Sequence, residues 1–165
     1  YWRRDYYPEY KANRKKTRNN SGHDWDDIFE CLNTIKQELK DSFPYKVLEV
    51  YGAEADDIIA VLCNELEFDN SKTLILSGDK DFIQLHKIKN VKQYSPITKK
   101  YINGEDPKEY LYQHILKGDS SDGVPNVLSP DNTFVDGLRQ KPLSKKKIVE
   151  WAGPMCEQTT KGIRN

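Results

Sequence analysis

Two apolar runs constrain this chain most: Ile58 to Cys63 (IIAVLC), inside a stretch of helical character, and Thr73 to Leu76 (TLIL) shortly after it. A short strand with no polar face is the kind buried on both sides in a parallel sheet, and so continuous an apolar helix interior packs against it. Upstream, Tyr45 to Tyr51 (YKVLEVY) is rich in strand formers, and Gly52 opens a turn into the helix expected over Ala53 to Phe68. Strand, helix and strand at this spacing read as a βαβ unit. After Ser77-Gly78, a short helix from Asp81 to His86 leads to a strand from Val91 to Tyr94, and Ile97 to Ile102 with Asn103-Gly104 reads as a hairpin edge. Alternation of this kind predicts an α/β class with a mostly parallel sheet and flanking helices.

The flanks are helical. Asp24 is placed to cap a helix from Trp25 to Phe43, with Trp25, Ile28, Phe29, Leu32, Ile35 and Leu39 forming one stripe expected to be buried, and Pro44 ends it. Beyond Asp106-Pro107, Lys108 to Lys117 carries Tyr110, Leu111, Ile115 and Leu116 on helical spacing. Gly118 to Pro125 is a tight turn, and Ser144 to Ala152 reads as a helix behind a Pro142 and Ser144 start. From Gly153 no periodicity is usable. At 165 residues and 36% hydrophobic content, the chain can bury one core.

Charge is balanced overall, 26 basic against 26 acidic residues, which excludes a uniformly basic binder. It is not balanced locally. Between Tyr1 and Asn20, the cations Arg3, Arg4, Lys11, Arg14, Lys15, Lys16 and Arg18 face only Asp5 and Glu9, an arm suited to a polyanion and expected to be mobile or ordered by a ligand. Cys31, Cys63 and Cys156 form no metal or disulfide pattern, which fits a reducing, intracellular compartment. No apolar run approaches the ~20 residues that cross a bilayer. With Tyr1 first and Met155 the only methionine, the chain is expected to begin inside a longer gene product.

The chemistry concentrates in three acid clusters, Glu54-x-Asp56-Asp57, Asp79-x-Asp81 and Asp119-x-x-Asp122. The first two follow successive strands, whose C-terminal ends open onto one edge of a parallel sheet, so they are expected to be neighbours. Two carboxylates ~5 Å apart repel by about 3 kcal/mol even at an effective dielectric near 20, so a cation is needed. Hard oxygen donors with no Cys or His among them point to Mg2+ or Mn2+ rather than zinc. Each cluster taken alone also reads as a helix first turn or a turn cap. Their conjunction favours the metal.

The segments YGAEADDIIAVL, LILSGDKDFIQL and ILKGDSSDGVPNV resemble the 5′-nuclease superfamily of flap endonucleases and polymerase-linked 5′ exonucleases. Within it, YWRRDYYPEYKANR, SGDKDFIQLHKIKNVKQYSP and KKKIVEWA are most like the T-even phage branch, in order from Tyr1 to about Trp151. The resemblance implies a PIN-like, Rossmann-type core at 24–105, a basic arch at 1–23, a helix-three-turn-helix DNA-binding region at 106–152 spanning Tyr110 to Val127, and a tail at 153–165. It implies two Mg2+ or Mn2+ ions, with Glu54, Asp56, Asp79 and Asp81 around the first, Asp57 beside it, and Asp119 and Asp122 around the second. Lys11, and after it Arg14, would neutralise the reacting phosphate. Arg3, Arg4, Tyr10, Lys15 and Lys16 of the arch would join them on DNA, as would Lys117, Gly118, Ser120, Ser121, Gly123 and Val124 of the turn. Tyr6, Tyr7 and Tyr10 either stack on bases or pack the arch.

The implied activity is metal-dependent 5′→3′ exonuclease or flap endonuclease cleavage of DNA and RNA–DNA hybrids with a free 5′ end, removing primers during phage replication in the bacterial cytoplasm. The enzyme would be a monomer working with a single-strand-binding protein or sliding clamp. Two departures stand out. Further family aspartates would lie upstream of Tyr1, which leaves open a fragment that binds branched or duplex DNA without cutting it. The turn runs Val124-Pro125-Asn126-Val127 where the family's glycine-rich potassium turn would stand, a departure that puts a potassium site in doubt. A PIN-like ribonuclease acting on single-stranded RNA is the third reading.

Overall fold

The computed structural model describes residues 2–104 and 106–161; the side chains of Lys16 and of residues 155–161 fall outside that description, as do the expectations placed on Lys16, Tyr1 and residues 162–165. Helices α1 (Arg3–Tyr6) and α2 (Asn13–Asn19) open the chain, followed by α3 (Trp25–Ser42), α4 (Ala55–Phe68), β1 (Thr73–Leu76), a 3-10 helix (Lys80–Lys87), β2 (Val91–Ser95), β3 (Lys100–Ile102), α5 (Pro107–Lys117) and α6 (Lys145–Lys161). The sheet order is β1-β2-β3. β1 and β2 run parallel with Thr73 opposite Val91, and β3 returns antiparallel with Lys100 opposite Ser95.

The apolar runs are buried only in part: Leu74 and Leu76 of β1 and Val61 and Leu62 of α4 are exposed, so the strand is covered on one face and not on both, because the three-stranded sheet is packed on the Ile75 side alone. Cys63 of α4, Ile75 of β1, Phe82 and Leu85 of the 3-10 helix, Ile88 and Val91 form the main core, with Ile59 and Ala60 against it. The 3-10 helix is thus the crossover that links the two parallel strands, and its buried Phe82, Ile83 and Leu85 pin it under the sheet. A second cluster, Leu116, Ile148 and Ala152, ties α5 to α6.

Several expectations are corrected. Tyr45 to Tyr51 forms no strand, since β1 pairs only with β2 among the described residues and ladder bonds need a partner edge. The sheet therefore holds one parallel and one antiparallel pair rather than mostly parallel strands. The hairpin turn lies between Ser95 and Lys100, with Lys99 at φ 55°, and not at Asn103-Gly104. No residue of α3 is buried, its stripe remaining open at Phe29, Leu32 and Ile35. α6 continues past Ala152 to Lys161 with Pro154 inside it. The arm is folded onto the protein, and Tyr10 belongs to its interior.

Candidate functional site

Asp79 and Asp81 are positioned by the exit from β1. Asp79 caps the 3-10 helix, its Oδ1 accepting from the Asp81 amide at 3.0 Å. The loop is fixed from below by Gln93 of β2, which is fully buried and donates its side-chain amide to the carbonyls of Ser77 (2.9 Å) and Asp79 (2.6 Å). Gly78 brings this loop so near β2 that a Cβ there would lie 3.1 Å from Ser95 Oγ. Asp56 comes from the first turn of α4, where acids favour the positive end of the helix dipole.

Asp119 arrives from the far side, after α5. Gly118, at φ 68°, lets the chain turn where a Cβ would sit 2.5 Å from the Val124 and Pro125 backbone. Asp119 and Val124 then close the turn with two backbone bonds of 2.8 Å. Asp119 Oδ1 accepts from the Ser121 amide (2.8 Å) and hydroxyl (2.7 Å). Its Oδ2 lies 3.9 Å from His114 Nε2, which is 3.6 Å from Asp81 Oδ1. Asp81, His114 and Asp119 can thus present three donor atoms within 4.8 Å of one another.

These groups line one open cavity of about 950 Å3 together with Asp56, Asp79, Asp122, Lys11, Arg14 and Lys117. Burial pushes the Asp56 carboxyl up, and Asp79 and Glu54 push it further. Burial also raises Asp81, with Asp79, Asp119 and Asp56 adding to it against the pull of His114. Such shifts mark negative charge that nearby cations leave under-compensated. Asp119 moves the other way, because its Ser121 bonds outweigh burial.

The arm answers the remaining acids. Lys11 Nζ meets both Glu54 oxygens at 2.7 and 2.8 Å and stands 3.8 Å from Asp122. Arg14 bonds Asp122 at 2.6 Å, and the Tyr10 hydroxyl lies 3.0 Å from Glu54 and 3.1 Å from Asp122. Arg3 grips Asp57 through two bonds of 2.8 Å. The Tyr7 hydroxyl reaches the Gly123 and Asp131 carbonyls at 2.9 and 2.8 Å. Burial alone would raise Glu54, but Lys11 and Tyr10 together hold it below its usual range. The Arg3 fork brings Asp57 to about 2, and burial lifts Tyr10 to about 12.

Of the residues expected at the site, Asp56, Asp79, Asp81, Asp119, Ser121, Asp122, Lys11, Arg14 and Lys117 share the cavity wall. Asp57 does not join them, since Arg3 takes both its oxygens and one of them also caps the Glu54 amide at 2.9 Å. Glu54 faces the arm. Arg3 is half-buried and committed to Asp57, and Arg4 donates to the Tyr10 carbonyl at 3.3 Å. Tyr10 is 8% exposed, so no base can stack on it as folded. Gly118 and Gly123 are buried and shape the turn, while Lys15, Ser120 and Ser121 are exposed. His114 was missed, and its presence corrects the expectation that no histidine joins the acids. Its only signal was its place one helical turn after Tyr110, beside the Lys117-Gly118-Asp119 exit.

Comparison with known proteins places the chain. Residues 1–113 match the family described as 5′-3′ exonuclease, N-terminal resolvase-like domain. Ribonuclease H of phage T4 is 43% identical over 155 residues, 91% of this chain and 50% of that protein. A 5′-3′ exonuclease of Buchnera aphidicola (Schizaphis graminum) is 35% identical over 133 residues, 76% of this chain and 44% of the relative. A phage T5 protein co-crystallized with metal ions superposes with a TM-score of 0.66 at 20% identity, over 91% of this chain and 66% of that one. The phage T5 flap endonuclease in a pseudo-enzyme-product complex with DNA and metal ions gives the same TM-score over 90% and 62%. The chain spans about half the length of the relatives it matches in sequence.

Proposed function

The chain belongs to the 5′-3′ exonuclease family, matched through its resolvase-like domain, and on that premise we propose that it hydrolyses phosphodiester bonds at or near a 5′ end, as a 5′→3′ exonuclease or flap endonuclease. One observation carries the reading: a cavity walled by carboxylates from three separate turns, Asp56, Asp79 with Asp81, and Asp119, also has the cations Lys11 and Arg14 in its wall.

The donor set fits divalent ions. Asp56 and Asp81 open onto the cavity, and carboxylate oxygens there suit Mg2+ or Mn2+, as two ions if Asp119 and Asp122 serve a second. A bound ion of this kind lowers the pKa of a water molecule and offsets charge on the leaving oxygen. The chain's own residues do the rest. Lys11 and Arg14 exchange Glu54 and Asp122 for a phosphate oxygen, and Glu54, released, stays beside Tyr10. The Gln93 bonds hold Asp79 in place while substrate enters. Exposed Lys15 and Lys117 extend the cationic track along the backbone of the nucleic acid. DNA or an RNA–DNA hybrid is the substrate class, and primer removal the setting.

The test is cleavage of a labelled 5′ flap and a labelled RNA–DNA hybrid in Mg2+. Wild-type protein should shorten both from the 5′ side, and Asp79→Asn with Asp81→Asn should abolish this while leaving the fold intact. Undiminished cleavage by that double variant would remove those residues from the mechanism.

A further inference from the structure

We propose that His114 is a metal ligand, giving this cavity a mixed oxygen–nitrogen subsite, Asp81–His114–Asp119, that favours a borderline transition ion such as Mn2+ or Co2+ over Mg2+. The inference rests on the reading of the cavity as a cation site and adds a donor of different chemistry to it.

The geometry is nearly that of a bound ion. Two donors ~2.1 Å from one metal stand about 3.0 Å apart at a right angle and about 3.4 Å apart at the tetrahedral angle. His114 Nε2 stands 3.6 Å from Asp81 Oδ1 and 3.9 Å from Asp119 Oδ2, and the three residues offer donor atoms within 4.8 Å of one another, so ligation closes the two nitrogen–oxygen pairs by about 0.2–0.9 Å and draws the two carboxylates toward each other. Both partners are aimed. Asp119 has Oδ1 committed to Ser121, which turns Oδ2 toward the imidazole. The ring itself is stacked on Tyr110, one helical turn earlier, with centroids 5.6 Å apart and planes 16° from parallel. That stacking fixes the ring plane so that Nε2 addresses the cavity.

Nitrogen changes the selectivity. Magnesium prefers oxygen and retains water, whereas imidazole suits later first-row ions. An all-carboxylate site has no such preference to lose. Removal of one nitrogen donor is therefore expected to weaken Mn2+ and Co2+ while leaving Mg2+ nearly unchanged.

The experiment titrates Mg2+, Mn2+ and Co2+, each alone, onto wild-type protein, His114→Gln and Asp79→Asn by calorimetry, with pulsed EPR of the Mn2+ complexes. Wild type should show a 14N coupling from a directly bound imidazole, and His114→Gln should lose it and bind Mn2+ about tenfold more weakly, with Mg2+ changed less than twofold. Absence of 14N coupling in wild type overturns the assignment without any variant, and so does equal Mn2+ affinity in His114→Gln. If Mg2+ binds and Asp79→Asn weakens it while His114→Gln changes nothing, only the histidine assignment fails. If no ion binds to wild type, the cation reading of the cavity fails and takes this inference with it.

Discussion

Lys11 closes on Glu54 with both carboxylate oxygens within 2.8 Å of its ammonium, so the basic arm and the acid-bearing helix α4 are joined by an ion pair at the edge of the cavity. The pair is partly shielded from water, with each side chain 19% exposed. It holds a cation at the cavity beside the acids and, with Tyr10, keeps Glu54 below its usual carboxylate range.

Replacing Lys11 removes both roles. Lys11→Ala leaves Glu54 and Asp122 without their shared ammonium, with Tyr10, Arg14 and the more distant Arg3 remaining, and should destabilise the fold by about 1–2 kcal/mol. If Lys11 neutralises the reacting phosphate, kcat should fall by about 100-fold with a smaller change in KM, as for loss of one electrostatic donor. Steady-state kinetics and urea denaturation check both parts; a KM-only effect would make Lys11 a binding residue.

Acid should unpick the Arg3–Asp57 fork. Asp57 titrates at about 2 in the fold against 3.8 ordinarily, so the unfolded chain binds more protons between those values. The stability it contributes, about 2 kcal/mol, is complete above about pH 4 and is lost as pH falls through about 2. Wild type should exceed Asp57→Asn by that amount in urea at pH 7, and the gap should close in acid. A gap that persists at pH 2 would contradict the pairing.

Asp81→Asn should separate stability from function. The Asp81 carboxyl is raised by burial and by three neighbouring acids, so its charge costs the ion-free protein stability at neutral pH. Its side chain is 38% exposed, and solvent screening keeps the gain from neutralising it below about 1 kcal/mol, or roughly 2–4 °C in Tm. Scanning calorimetry should show Asp81→Asn melting slightly higher than wild type without metal and lower than wild type in millimolar Mn2+.

Gln93 is the support on which Asp79 stands. Gln93→Leu leaves the Ser77 and Asp79 carbonyls without their donor, costing about 1 kcal/mol, and frees the loop that carries Asp79. Ion affinity should fall although no ligand is touched. Unchanged Mn2+ affinity in a destabilised Gln93→Leu would show that the loop holds its shape unaided.

The elements legible in the sequence were those with a strong apolar rhythm. Thr73 to Leu76, the α4 run and α5 form as elements where the sequence places them, although Leu74, Leu76, Val61 and Leu62 stay exposed and the strand is buried on one face only. Tyr45 to Tyr51 misled because strand propensity says nothing about whether a partner edge exists. Trp25 to Leu39 misled likewise, since amphipathic spacing promises a face and not a covering. The arm was read as mobile from its polar composition, yet Arg3, Lys11 and Arg14 each found an acid far along the chain, a pairing no local pattern encodes. The clusters were visible as acids at turns; that Asp57 faces Arg3 while Asp56 faces the cavity is settled by one residue of helical rotation. His114 is hard to read from the sequence because its position, one helical turn after Tyr110 and shortly before Asp119, is a weak signal for a lone histidine in a helix.

The central claim is that acids from separate turns share one cation. A double-mutant cycle on Mn2+ affinity, using Asp56→Asn, Asp79→Asn and the pair, tests it most directly. Sharing predicts strong non-additivity, with the second substitution costing little once the first has released the ion. Losses that simply add, or an Asp56→Asn variant that binds as tightly as wild type, would show that the two carboxylates serve no common ion.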